Sequence, residues 1–170
     1  MKVSVIIAAY NAEKYLVETL QSVVNQTLDD YEIITINDGS KDGTLDILKE
    51  YEKEYPNFTV ISKENGGVSA ARNDGLNVAQ GKYVYFYDAD DILELEALEK
   101  MYEAAENNKA ELVIAGYDMF DQYKTTEVKE LNRENQDRCA DHRRRYGRML
   151  CSLCDRQIFN MIPQDLVSFK

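Results

Sequence analysis

An α/β fold, with helices covering both faces of a mainly parallel central sheet, is what this sequence predicts, and three observations predict it. Five apolar, β-branched and aromatic runs recur along the chain. Several are apolar on both faces, the pattern of strands buried from two sides. Between them lie segments with apolar residues at helical spacing, and the resulting order β-α-β-α-β-α-β-α-β implies right-handed crossovers between parallel strands.

Strands are expected at Lys2–Ala9, Tyr31–Asn37, Phe58–Ser62, Tyr83–Tyr87 and Glu111–Ala115. In the first intervening segment Leu16, Leu20, Val23 and Val24 share one helical face, and in the second Leu45, Leu48, Tyr51 and Tyr55 do. Asp42 stands where an N-cap would accept the free amides of that second helix. A third helix, from about Val68 to Ala79, opens after Gly66-Gly67. Leu95, Leu98, Tyr102 and Ala105 give the fourth its buried stripe. Tyr83, Tyr85, Phe86 and Tyr87 read as core packing on a central strand rather than as a stacking platform. After Gly116 the pattern weakens, and Asp121–Asp137 is polar without periodicity. The chain therefore divides into a core over 1–116 and an extension over 117–170.

A length of 170 residues suits one well-buried core with a small appendage. A hydrophobic share of 44% against 30% charged excludes a disordered polyelectrolyte. No apolar run approaches the roughly 20 residues that span a bilayer. One lysine precedes the first apolar run and no small-residue cleavage pattern follows it, so no secretory signal is expected and the location is cytoplasmic. Three cysteines, all late in the chain, fit a reducing compartment. A formal charge of −11 argues against nucleic acid as a partner, because binding to its phosphates needs basic surface.

The one basic stretch is Arg138 to Arg156, with Arg143, Arg144, Arg145 and Arg148 between. It reads as a solvated helical face, or as a contact with an anionic acceptor or with lipid phosphates at the inner face of a membrane. Cys139-x2-His142 and Cys151-x2-Cys154 supply four soft ligands at the spacing of a zinc knuckle, against a default of unpaired reduced thiols.

The chemistry is expected at the carboxyl ends of the strands, where loops and helix N-termini converge in open α/β sheets. The first strand ends at Tyr10-Asn11, the second at Asn37-Asp38-Gly39-Ser40 and the fourth at Asp88-Ala89-Asp90-Asp91. Two carboxylates one residue apart, leaving a buried strand, suit a hard cation such as Mg2+ or Mn2+. Such an ion takes only one or two carboxylates and completes its shell with water and phosphate oxygens, which implies a phosphorylated ligand. The competing role for Asp88, Asp90 and Asp91 is that of turn and cap residues, which aspartate often serves.

Four motifs in order weigh against turn chemistry alone: Ser4-Val5-Ile6-Ile7-Ala8-Ala9-Tyr10-Asn11, Asn37-Asp38-Gly39-Ser40-Lys41-Asp42-Gly43-Thr44, Asn65-Gly66-Gly67-Val68-Ser69-Ala70-Ala71-Arg72-Asn73 and Tyr87-Asp88-Ala89-Asp90-Asp91. Together they resemble the family 2 glycosyltransferases over roughly Met1 to Ala115. The resemblance implies the GT-A fold, a Rossmann-like sheet, with residues 1–116 as a nucleotide-sugar-binding core and 117–170 as an acceptor-side or C-terminal extension. It implies donor-binding roles for Ala8, Tyr10, Asn11, Asp38, Arg72 and Asp88. Ala8 and Tyr10 would flank the base, Asp38 would recognise it, and Arg72 would contact the nucleotide or its phosphates. Asp90 is similar to the family's direct metal ligand, and Asp88 to the aspartate beside the ribose that reaches the metal through water. The sequence departs from the family at Ala8, where proline is usual, so the turn after the first strand is less rigid.

What the resemblance implies chemically is transfer of a sugar from a nucleotide-sugar, a UDP-sugar, to a hydroxyl of a glycan or lipid-linked acceptor. The reaction would invert configuration with a divalent cation, Mn2+ or Mg2+, in attendance. That step needs a base, in this family an acidic residue well beyond the metal motif, usually in a Glu-Asp pair. No such pair follows Asp91. Gln164-Asp165 with Phe169 is the nearest likeness, and Asp165 is the candidate base. The alternative is a donor-binding module, or a truncated fragment, without turnover. Other nucleotide-binding classes lack their marks, since no G-x-G-x-x-G follows the first strand and Gly81-Lys82 precedes a strand rather than a helix. A sugar nucleotidyltransferase would carry a glycine-rich basic loop where Tyr10-Asn11-Ala12-Glu13 stands.

Overall fold

The computed structural model describes residues 1–115 together with the short stretches 120–121, 124–125, 149–151 and 159–163. The expected alternation runs through β1 (Val3–Ala9), α1 (Glu13–Val24), β2 (Tyr31–Asp38), α2 (Thr44–Glu54), β3 (Phe58–Lys63), α3 (Val68–Val78), β4 (Tyr83–Asp88), α4 (Ala97–Asn108) and β5 (Leu112–Ala115). Four further strands follow: β6 (Phe120–Asp121), β7 (Lys124–Thr125), β8 (Met149–Cys151) and β9 (Phe159–Pro163). Seven strands form one sheet in the order β3-β2-β1-β4-β9-β5-β8, while β6 and β7 pair only with each other. Strands β3, β2, β1 and β4 are mutually parallel. β9 lies antiparallel to both β4 and β5, so the sheet draws a strand from beyond residue 116.

Alternation along each strand divides the core in two. Val3, Val5, Ile7 and Ala9 of β1 share one face with Tyr83, Tyr85 and Tyr87 of β4, and pack with Leu16, Leu20 and Val23 of α1, Leu48 of α2 and Leu98 of α4. Ile6 faces the other way with Ile34, Ile36 and Val84, against Ala71 and Ala79 at the two ends of α3. Tyr85 and Tyr87 are fully buried, as core tyrosines on a central strand. Two-sided covering is what made these runs continuously apolar.

On the second face the helix lies unusually close to the sheet. A Cβ built at Gly75 of α3 would stand 2.6 Å from Ile6 Cγ2 and 2.9 Å from Ile36 Cδ1. Gly75→Val should therefore push α3 off the sheet and lower stability by roughly 1–3 kcal/mol, the usual cost of overpacking. Urea denaturation checks this, and an unchanged midpoint would show that α3 has slack there.

Two local expectations are corrected. Leu95 does not belong to α4: it precedes the helix and is 58% exposed, and the buried stripe is Leu98, Met101 and Ala105. The physical reason is a start signal from outside the segment, for Gln26 Oε1 accepts the Leu98 N–H at 3.0 Å in the first turn. Asp42 is not the N-cap of α2; Gly43 is. The carboxylate still meets the helix start, because Asp42 Oδ1 accepts the Thr44 N–H at 3.1 Å and the Thr44 hydroxyl at 2.6 Å. At its other end α2 stops at Tyr55, held extended by the following Pro56.

Candidate functional site

Strand order reverses at β1, with β2 on one side and β4 on the other, and this switch point is where an open α/β sheet leaves a crevice. Register sets its corners. Ala8 lies opposite Ile36 of β2 and Asp88 of β4, and Ala9 opposite Asn37. Tyr10, Asp38 and Asp88 therefore leave the sheet along one edge, as three neighbouring strand ends. Tyr10 is 51% exposed, a large aromatic surface presented to solvent at this rim.

Asp38 is only 3% exposed. Its Oδ1 accepts the Gly66 N–H and its Oδ2 the Gly67 N–H, each at 2.8 Å, while its backbone carbonyl accepts Asn65 Nδ2 at 3.0 Å. The carboxylate thus holds the turn that opens α3, and each oxygen keeps a second acceptor direction. Glycine is needed at two points of this arrangement. Gly67 has φ +85°, and Gly39 combines φ +72° with a Cβ direction that would meet Asn65 N at 2.7 Å.

Beside it, the loop after β1 is clasped to the loop after β2. The Asn11 N–H donates to Ser40 Oγ at 3.0 Å, and Asn11 Oδ1 accepts the Lys41 N–H at 2.8 Å. Asn11 itself sits in the left-handed region at φ 50°, a conformation asparagine tolerates. Reciprocal bonds continue the clasp into both helix starts: the Glu13 N–H donates to Asp42 Oδ2, the Gly43 N–H to Glu13 Oε2, and the Ala12 N–H to Thr44 Oγ1. Asn11 is thereby committed to backbone positioning at the rim of the crevice.

At the end of β4, Arg72 Nη2 donates to Asp88 Oδ1 at 2.7 Å in a half-exposed ion pair. The guanidinium lies 5.7 Å from the centre of the Phe86 ring. Its Nε is buried without a hydrogen-bond partner among the described residues, so Arg72 retains unused donor capacity next to Asp88. Asp90 is exposed, and Asp91 is half-buried with Oδ2 buried and unpartnered. Burial first, then the charges of Asp90 and Asp88, push the Asp91 carboxyl up to about 6.

Asp88, Asp90 and Asp91 are near enough for their charges to act on one another, and carboxylate oxygens are the donors a hard divalent cation prefers. Among the described residues no three His, Cys, Asp or Glu side chains converge into a ready-made cage.

The sequence reading missed how this segment is held. Residues 89–95 carry no helix or strand, yet their backbone is tied to α1 and the turn after it. The Thr19 hydroxyl donates to the Ala89 carbonyl at 3.0 Å, and Ser22 Oγ accepts the Leu93 N–H at 3.0 Å. Gln26 Nε2 donates to the Glu94 carbonyl at 2.7 Å, and the Thr27 N–H to the Leu95 carbonyl. A signal for this existed in the sequence, since Thr19 is a polar residue on the same stripe as Leu16, Leu20 and Val23. Asp165, Cys139, His142, Cys154 and most of the Arg138–Arg156 stretch lie outside the described residues, as does the side chain of Cys151 at the end of β8.

Residues 4–162 match the family model described as Glycosyl transferase family 2. The chain is 42% identical over 118 residues to the poly(ribitol-phosphate) beta-glucosyltransferase of Bacillus spizizenii, covering 67% of this chain and 19% of that protein. Among solved structures it is similar to S. aureus TarS 1-349 in complex with UDP-GlcNAc, with TM-score 0.68 and 29% identity over 78% of this chain and 39% of that one. It is similar in fold alone to the mannosyltransferase PcManGT of Pyrobaculum calidifontis in complex with GDP-Man and Mn2+. That likeness has TM-score 0.60 and 23% identity, covering 68% of this chain and 35% of the other. The chain spans less than half the length of each of these proteins.

Proposed function

The chain belongs to glycosyl transferase family 2 and has the GT-A fold, and from that premise we propose that it binds a nucleotide-sugar, a UDP-sugar, and passes the sugar to a hydroxyl of a glycan or lipid-linked acceptor. The observation that carries this is the convergence of Tyr10, Asp38 and Asp88 on one sheet edge at the β1 switch point. In this proposal Tyr10 and the backbone at Ala8 flank the base, and the free acceptor directions of Asp38 meet its polar edge. Asp88 lies beside the ribose. Arg72 turns its spare donors to the phosphates, where a guanidinium suits oxyanions.

Asp90, with Asp88, would hold Mn2+ or Mg2+. When bound, such an ion supplies positive charge beside the diphosphate leaving group. The chain's own part is to orient the donor and hold the carboxylates in place, while the acceptor oxygen approaches the anomeric carbon from the face opposite the diphosphate, so that configuration inverts. The base that removes the hydroxyl proton is assigned to Asp165.

Residues 1–116 then serve as the donor core, its sheet completed by β8 and β9 of the acceptor-side extension 117–170. Among the described residues no helix is long and apolar enough to cross a membrane. We place the protein in the cytoplasm at the inner face of the membrane, with the Arg138–Arg156 stretch touching anionic lipid. A donor-binding role without turnover is the second reading, favoured by Gln164 standing before Asp165 where the resemblance calls for a glutamate.

Isothermal titration with UDP and Mn2+ tests the binding. Saturable heat that weakens in EDTA without vanishing is expected, and no binding of UDP, GDP or their sugars in either condition overturns the proposal. Release of UDP from a UDP-sugar in the presence of Mn2+ separates an enzyme from a binding module.

A further inference from the structure

We propose that Thr19 is a positioning residue for Asp90: its hydroxyl, bound to the Ala89 carbonyl, fixes the peptide plane from which the Asp90 carboxylate departs. This rests on the proposed function for its consequence, not for its geometry.

Ala89 stands between the two aspartates, and its carbonyl belongs to the peptide joining it to Asp90. Rotation of that plane changes ψ of Ala89 and φ of Asp90 together, and so redirects the Asp90 side chain. No helix or sheet ladder holds the plane, because β4 ends at Asp88 and α4 begins at Ala97. The turn around it is closed by a long Asp91 N–H to Asp88 carbonyl bond of 3.4 Å, and the Thr19 hydroxyl adds the shorter constraint at 3.0 Å from a buried position. Thr19 is 1% exposed and lies among Leu16, Leu20 and Val23 on the buried stripe of α1. A hydroxyl is costly there unless bonded, and it has a local partner already in the Tyr15 carbonyl at 3.3 Å. The two carbonyls share one hydroxyl proton, and the Ala89 carbonyl is the nearer, so the bond that leaves α1 is the shorter one.

The neighbouring bonds sharpen the assignment. Ser22 fixes Leu93 and Gln26 fixes Glu94 and Leu98, all on the far side of Asp91. Those contacts set where the segment ends. Thr19 alone of the three contacts the backbone between the aspartates.

Thr19→Val keeps the shape and removes the hydroxyl, and Thr19→Ser restores it. Amide hydrogen exchange without ligand is the first arm. In Thr19→Val the exchange of the Asp91 amide, which donates to the Asp88 carbonyl across this plane, should rise about tenfold while β1 and β2 stay protected, and Thr19→Ser should return it to near the wild-type rate. Titration with UDP is the second arm. The apparent Kd in saturating Mn2+ should rise about tenfold in Thr19→Val, with binding in EDTA unchanged and Thr19→Ser within about threefold of wild type.

Unchanged exchange at the Asp91 amide overturns the positioning role even if binding falls. Equal loss with and without Mn2+ also overturns it, since that is what general loosening of α1 would give. Leu20→Val, a core variant on the same stripe, should lower thermal stability without the Mn2+-specific loss. If wild type shows no Mn2+-dependent UDP binding, the proposed function falls, and the exchange arm still decides the role of Thr19.

Discussion

Asp90→Ala should weaken Mn2+-dependent binding of UDP or a UDP-sugar by about 3 kcal/mol, roughly 150-fold in Kd. The size follows from removing a full charge that would face the cation directly. Binding in EDTA should be little changed, because the proposed contacts to the base come from Tyr10, Ala8 and Asp38 on other strands. Stability should hold as well: Asp90 is exposed, and its loss removes one of the charges that raise the Asp91 carboxyl. Titration calorimetry in Mn2+ and in EDTA, beside a thermal melt, makes the comparison. An alanine variant that keeps its Mn2+-dependent affinity would remove Asp90 from the metal assignment.

The second large effect is on the fold. Asp38→Ala should cost roughly 2–3 kcal/mol of stability, lowering the melting temperature by about 4–12 °C. Two backbone N–H groups, those of Gly66 and Gly67, lose a charged acceptor at once, and the turn that opens α3 loses its anchor. Asp38→Asn should not rescue, since a side-chain amide presents one acceptor and one donor where two N–H groups converge. Urea denaturation of both variants decides the matter. If they melt as wild type and lose only affinity for UDP, the carboxylate serves the ligand and not the turn.

These two aspartates show how much of the site was readable beforehand. Both stand at strand ends, and strand ends were legible because β1, β2 and β4 are apolar on both faces and break off at polar residues. The partners of Asp38 and Asp88 were not legible. Gly66-Gly67 and Arg72 are distant in sequence, and only the parallel register of β1, β2 and β4 and the close seat of α3 bring them together. The start of α4 was misplaced for the same reason: Leu95 falls on the helical period, but Gln26, far upstream, decides where the helix begins. β9 was missed because Phe159–Pro163 is short, ends in proline, and earns its place only by pairing with strands already formed.

That last strand bears on how the protein is made. Tyr85 of β4 pairs with Met161, and Val113 of β5 pairs with the same residue from the other side. Until the ribosome has delivered residues 159–163, β4 is an open sheet edge with unpaired N–H and C=O groups, beside a core of buried tyrosines. The nascent chain therefore carries an unfinished margin from the emergence of β4 until residues 159–163 follow, and the closing contact is among its most non-local ones. Closure of the sheet should therefore lag behind its parallel strands and be chaperone-sensitive, with aggregation starting at β4 when synthesis halts before residues 159–163.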